Sequence, residues 1–359
     1  MCTNRVLLTT ATAALAVSTL AACGSSAEPE PPRPGTVVVS PSATGSTSAT
    51  ASPSATGSSS PSTDPTTAGV PQVPGLVVHA SEYDVPETVS RLQSALGGAG
   101  TVVATLDHAE NAASVGMSLP PTVLVVGGNA EVGTPVLQQE SEAGLELPLR
   151  FLAWEEDGQV YLAYNSADYL AERADLDDAA GRRALEPVRQ ASAMLAETAS
   201  GTTDPLTDGS RGLGDDDREV EDVDADSDRA VAATQSRLRQ ALQRSPLSIV
   251  AVVDHAANAR SIGRSLTPLR LTLAGNPEAG TPFIAARRTI GIDLPMRFLV
   301  AADGDGDGDR GGDDGDDRGS EILAPDFSDL VDRHGITGLD EAVAAVERSQ
   351  EQLLRTATR

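Results

Sequence analysis

From Leu76 onward the apolar residues of the chain change period in a regular order. Leu76–Ala80 is a continuous run of strand length. Val85, Val89, Leu92 and Leu96 then recur at helical spacing and mark one face of a helix, which the Gly97-Gly98 pair is expected to end. Thr101–Leu106 is rich in β-branched residues and reads as a buried strand, and Thr122–Val126 as a third strand. Leu149–Trp154 and Val160–Tyr164 are two more, joined by the hairpin signal Asp157-Gly158. A long amphipathic helix follows, with Leu185, Val188 and Leu195 on one face. Two short helices are expected between strands. One starts at Asp107, three residues before Glu110, in capping-box spacing, and stops at Gly116. The other opens at Thr134-Pro135, with Thr134 as cap and Pro135 in the first turn.

The same order then repeats. Residues 107–152 and 254–299 align without a gap. They share Asp-His-Ala (107–109 and 254–256), Gly-Asn (128–129 and 275–276), Gly-Thr-Pro (133–135 and 280–282), Leu-Pro (147–148 and 294–295) and Arg-Phe-Leu (150–152 and 297–299). A period this long means two copies of a domain rather than a solenoid of short repeats. The first copy spans 73–200, an acidic linker 201–219, and the second copy 220–359. The second departs from the first twice. Its first strand, at Glu219-Val220-Glu221-Asp222-Val223, is half acidic. Its last two strands, Met296–Ala301 and Glu321–Leu323, are separated by an Asp/Gly insert over 303–319 instead of a tight turn. Its closing helix is intact, with Leu339, Val343, Val346 and Leu353 on one face. Strands in adjacent hairpins with helices between them imply an α+β fold, helices packed on one face of a largely antiparallel sheet.

The front of the chain has a different character. Arg5 precedes the apolar, Ala-rich stretch Val6–Ala22, which reads as a signal peptide over 1–22. It ends in Leu20-Ala21-Ala22-Cys23-Gly24, which resembles the lipobox of bacterial lipoproteins, so Cys23 is the expected lipidation site. Residues 23–72 are a stalk dominated by Ser, Thr, Ala, Pro and Gly, too poor in apolar side chains to offset its ordering entropy. The other cysteine, Cys2, would leave with the signal peptide, so no disulfide, Cys-type zinc site or Cys nucleophile is expected. The net charge of −26 comes with no lysine at all. This argues against nucleic acid and against electrostatic binding to anionic lipid heads.

The words Asp-His-Ala, Gly-x-x-Leu with a following Pro, Gly-Asn, Gly-Thr-Pro and Leu-Pro before a strand resemble the domain of unknown function 302 family, in two copies. The resemblance implies a two-layer β-α-β4-α domain with a TATA-binding-protein-like sheet, and pairing between domains. It implies no activity, and it makes the short helices after Asp107 and Thr134 minor decorations between strands.

Candidate chemistry is sparse. His108 and His255 are the only histidines that recur at equivalent positions. An Asp-His pair suggests a base with an orienting carboxylate, but an Asp that caps a helix spends its oxygens on backbone N–H groups. The turns Gly128-Asn129-x-x-x-Gly133-Thr134-Pro135 and Gly275-Asn276-Pro277-x-x-Gly280-Thr281-Pro282 lead into helix N-termini, which suit a small anion, although a plain strand exit needs the same residues. The expected ligand-binding residues are therefore His108, Asn129, Gly133 and Thr134, with His255, Asn276, Gly280 and Thr281. Asp303, Asp305, Asp307 and Asp314 have a calcium-loop-like spacing inside low-complexity sequence, and loose cation condensation fits them better. No catalytic residue, metal or cofactor is expected. The leading expectation is a membrane-anchored envelope lipoprotein. Its tandem domains would pack on each other and bind a small anion or an envelope protein without catalysing a reaction. An enzyme acting on a small anionic substrate at the Gly-Asn/Gly-Thr-Pro turn, and a structural spacer, are the alternatives.

Overall fold

A computed structural model describes residues 70, 72–210, 213, 220–302 and 319–359. The signal peptide, Cys23, all but the end of the stalk, and Asp303, Asp305, Asp307 and Asp314 lie outside the described residues. The first copy runs β1 (Leu76–Ala80), α1 (Val85–Ala99), β2 (Thr101–Asp107), α2 (His108–Ser114), β3 (Thr122–Gly128), α3 (Ala130–Leu137), β4 (Leu149–Glu156), β5 (Gln159–Asn165), α4 (Ala167–Arg173) and α5 (Ala179–Ser200), with β6 (Thr207–Asp208) after it. The second runs β7 (Asp222–Ser227), α6 (Val231–Gln243), β8 (Ser248–Asp254), α7 (His255–Ser261), β9 (Leu269–Gly275), α8 (Pro277–Ala286), β10 (Met296–Ala302), β11 (Ser320–Pro325), α9 (Phe327–Arg333) and α10 (Asp340–Thr358). The sheets are ordered β2-β3-β4-β5-β1-β6 and β7-β11-β10-β9-β8, antiparallel throughout.

Local chemistry explains most element ends. Asp84 caps α1 by accepting from the Glu87 N–H, and Val85, Val89, Leu92 and Leu96 are its buried face. The helix continues through Gly97-Gly98 and stops at Gly100. A Cβ there would lie 2.3 Å from the Gly128 carbonyl oxygen, so the backbones of the two strand ends approach too closely for a side chain. Asp157 (φ 51°) and Gly158 (φ 79°) both adopt the left-handed conformation of a two-residue hairpin turn between β4 and β5.

Three other expectations change. β2 is a half-exposed edge strand rather than a buried one. A bulge at Val103, mirrored at Val250 in β8, twists each edge and discourages pairing with another chain. Thr134-Pro135 and Thr281-Pro282 sit inside α3 and α8, which are capped instead by Asn129 and Asn276. The first strand of the second copy is Asp222–Ser227, further along than Glu219–Val223. Its acids alternate with Val223, Ala225 and Ser227, so it still has a period of two.

Each copy covers one face of its sheet with its own helices, α1 and α5 or α6 and α10. The opposite faces of the two sheets turn toward each other. Alternation along β10 makes this explicit: Met296, Phe298 and Val300 belong to the core of the second copy, while Leu299 and Ala301 join the core of the first. Leu269, Leu271, Leu273, Ile292 and Leu323 of the second copy belong to that same shared layer. The described fold is helix, sheet, sheet, helix, and its central strands are buried on both sides. The 3-10 turns Glu142–Leu145 and Arg288–Ile292 cross between the copies. Gly144 lies against Leu269 and Leu299, and Gly291 against Leu152 and His108.

Candidate functional site

Asp107 and Asp254 are helix caps, each accepting the N–H three residues on, at Glu110 and Ala257. The histidine that follows each is buried and directed at the other copy. His108 Nε2 meets the Gly291 carbonyl oxygen at 3.1 Å. His255 faces the carbonyls of Gly144 and Leu147, though its Nε2 makes no hydrogen bond of good geometry. Burial pushes both imidazoles down to about 4, against the smaller opposing pull of the carbonyls and of Asp107 or Asp254. Each neutral, enclosed ring, His108 bonded through Nε2 and His255 only packed against main-chain oxygens, is a packing element of the contact between copies.

The Gly-Asn/Gly-Thr-Pro turns are also heavily committed. Asn129 accepts from Glu131 N at 2.8 Å and donates through Nδ2 to Ala99 O at 2.7 Å, tying α3 back to the end of α1. Asn276 caps α8 in the same way through Glu278 N. Thr134 and Thr281 are buried in their helices. Gly133 and Gly280 lie against Leu147 and Leu294. His108 and Asn129 therefore stand at opposite ends of the antiparallel β2–β3 pair, where Asp107 opposes Val123 and Thr101 opposes Gly128. Two surface depressions, of about 290 and 280 Å³, lie elsewhere, around Val73–Leu76 with Pro205–Gly209 and around Val331–Val343. Among the described residues no group of three or more His, Cys, Asp or Glu is placed to hold a metal ion.

The densest polar constellation was not anticipated from sequence. Glu146 and Asp293 occupy equivalent positions before the cis Leu147-Pro148 and Leu294-Pro295 bonds. Four residues on stand Arg150 and Arg297, on β4 and β10. The two arginines and two acids cross between the copies. Arg150 Nη2 pairs with Glu146 and lies 3.6 Å from Asp293 Oδ1. Arg297 Nη1 pairs with Asp293 Oδ1 at 3.0 Å, and its Nη2 lies 3.4 Å from Glu146 Oε1. The last residues of α4 and α9 complete the set. Arg173 bonds Asp222 and the Val220 carbonyl at the start of the second copy. Arg333 bonds Asp293 Oδ2 at 2.8 Å, Asn165 Oδ1 at 2.8 Å and the Pro74 carbonyl at the start of the first copy, and stacks 3.8 Å over the Tyr169 ring. Each copy thus holds the lead-in segment of the other.

Electrostatics follow from this arrangement. Burial opposes ionisation of Asp293, but Arg333, His334 and Arg150 outweigh it and hold the carboxyl well below the usual range. His334 donates from Nε2 to Asp293 Oδ2 (2.9 Å), its Nδ1 lies 2.8 Å from Thr289 Oγ1, and burial drives its pKa down despite the carboxylate beside it. Burial raises the Asp222 carboxyl against the pull of Arg173. A signal for the cluster does exist in the sequence: acid-Leu-Pro-x-Arg occurs at 146–150 and 293–297. It is obscured because the acid is Glu in one copy and Asp in the other.

A model of the domain of unknown function DUF302 matches residues 77–197 and 223–309, more than half of the chain. A 104-residue stretch is 40% identical to proteins named fluoride-specific ion channel FluC 1 in Brucella suis and Brucella abortus. It is 28% of this chain and spans only 41% and 38% of theirs. Among solved structures, an uncharacterized conserved DUF302 protein from Bacillus stearothermophilus overlaps 38% of this chain and 98% of its own, at 18% identity and a TM-score of 0.33. The di-domain ARO/CYC StfQ of the steffimycin biosynthetic pathway overlaps 79% and 96% at 10% identity, with a TM-score of 0.21. Among the described residues no helix is long and apolar enough to cross a membrane.

Proposed function

Because this chain belongs to the DUF302 family and carries that family's domain twice, we propose that it is an extracytoplasmic lipoprotein whose two domains act as one tethered, non-enzymatic binding module. The observation that carries the reading is the reciprocal hold of Arg333 on Pro74 and Arg173 on Val220 around one shared apolar layer. Joining the two domains in one chain replaces a dimer with an intramolecular contact at high effective concentration. The commitment of His108, His255, Asn129 and Asn276 to packing and capping supports a role without catalysis.

Anchoring rests on the Leu20-Ala21-Ala22-Cys23 motif and the stalk behind it. The stretch shared with the Brucella proteins, 104 residues, is close to one repeat in length, so the likeness is to a domain of those proteins.

Two measurements test the proposal. Wild-type protein in its bacterial host partitions into the detergent phase of a membrane extract, and Cys23→Ser moves it to the aqueous phase; unchanged partition removes the anchor. Separately expressed domains 73–200 and 201–359 associate on mixing. Two stable, monomeric domains that ignore each other would remove the module.

A further inference from the structure

We propose that the arginine cluster between the two copies binds a small monovalent anion of the halide class, held by Arg150, Arg173 and Arg297 with the Tyr169 hydroxyl. This goes beyond the tethered-module reading and does not depend on the anchor. Charge is the first argument. Among the described residues, four guanidiniums, of Arg150, Arg173, Arg297 and Arg333, are enclosed with three carboxylates, of Glu146, Asp293 and Asp222, while Glu142, which also faces Arg173, is only half-buried and stays within reach of solvent. Arg150, Arg173, Arg297 and Arg333 are at most 6% exposed in their side chains. A buried surplus of one sign is strongly unfavourable unless a counter-charge joins it.

Hydrogen-bond parity is the second argument, and it is independent of the first. Nε of Arg150, Nε of Arg173, Nε and Nη2 of Arg297 and the Tyr169 hydroxyl are buried without a hydrogen-bond partner. Among the described residues of the cluster, the acceptor without one is Glu146 Oε1, to which Arg297 Nη2 (3.4 Å) and Arg173 Nε (3.7 Å) come only within ion-pair range. Nearly all buried donors in folded proteins are satisfied. A water brings as many donors as acceptors and leaves the surplus standing, whereas an anion brings acceptors only. Leu145 and Leu147 on either side of Glu146, and Ile292 and Leu294 on either side of Asp293, are buried and apolar, which favours a monatomic ion over phosphate or a carboxylate ligand.

The test melts the purified full chain in sodium gluconate, sodium chloride, sodium fluoride and sodium phosphate at equal ionic strength and pH 7.5. The expected result is a Tm that climbs with the logarithm of chloride or fluoride concentration above the gluconate baseline. The climb is lost in Arg297→Lys, which keeps the charge but removes the guanidinium donors, and is reduced in Tyr169→Phe. Equal melting in all four salts, a rise with phosphate alone, or an undiminished halide response in Arg297→Lys would overturn the proposal. If Arg297→Lys does not fold, wild-type crystals grown in sodium bromide decide the matter: an anomalous bromine peak within hydrogen-bonding distance of Arg297 supports the site, and its absence overturns it.

Discussion

Arg333, at the end of α9 in the second copy, donates to the carbonyl oxygen of Pro74, at the start of the first copy, through both Nε (3.0 Å) and Nη2 (2.8 Å). Replacing it with alanine strips a fully buried partner from Asp293 and from that carbonyl at once. The expected loss is about 3–5 kcal/mol in urea denaturation. The exposed pair Arg189–Asp168 is the control, with Arg189→Ala expected to cost at most ~1 kcal/mol. Equal effects at the two positions would mean that the central cluster is not a stability element.

Gly144 tests the contact between copies without touching a charge. A Cβ on it would lie 2.9 Å from Leu299 Cδ1 and 3.3 Å from Leu269 Cδ2, both in the other copy. Gly144→Ala therefore overpacks the interface and is expected to cost about 1–3 kcal/mol. Gly144 is not among the glycines of positive φ, so its change adds contact without backbone strain, whereas Gly116→Ala, open to solvent at φ 76°, adds strain without contact and separates the two effects. Thermal melts in which Gly144→Ala matches wild type would place the copies further apart than described.

Acid should loosen the fold through its histidines. His108 faces the Gly291 carbonyl and Asp107, and His255 faces the Gly144 and Leu147 carbonyls and Asp254. Each titrates at about 4 when folded, against 6.5 unfolded. Between those values the unfolded chain binds more protons, so stability falls as pH drops through that window and levels off below it. The loss is on the order of 3 kcal/mol for each histidine. Burial lowers His79 and His334 in the same direction. Asp293 acts lower: its stabilisation is present above 3.8 and is lost only as pH falls beneath that value. Urea titrations between pH 7.5 and 4.5 read the slope, and His108→Asn should reduce it by about one proton. A flat profile would contradict the burial of these rings.

Asp107→Ala and Asp254→Ala remove equivalent caps from α2 and α7, each expected to cost about 1 kcal/mol. The second also releases Arg270, a partly exposed partner at 3.1 Å, which adds little. A cost several-fold larger at Asp107 alone would point to a role for Asp107 and His108 beyond capping.

Periodicity in the sequence was enough to locate β1, α1, β3, the β4–β5 hairpin and the closing helices, because each depends on a local pattern and a local terminator such as Asp84 or Asp157-Gly158. It also exposed the duplication and the family. The short α4 and α9 escaped it, since seven residues carry too little apolar period to stand out. α3 starts about one turn before the cap signal Thr134-Pro135, because Asn129 caps it first. What recurs as Arg-Phe-Leu looks like a strand word in one dimension. Only the tertiary arrangement divides it, sending Phe151 and Phe298 to the helix layers, Leu152 and Leu299 to the layer between sheets, and Arg150 and Arg297 to the charged centre. That division, and the meeting of Glu146 with Arg297 across 151 residues, depends on which faces of two sheets come together, a long-range choice that no local pattern encodes.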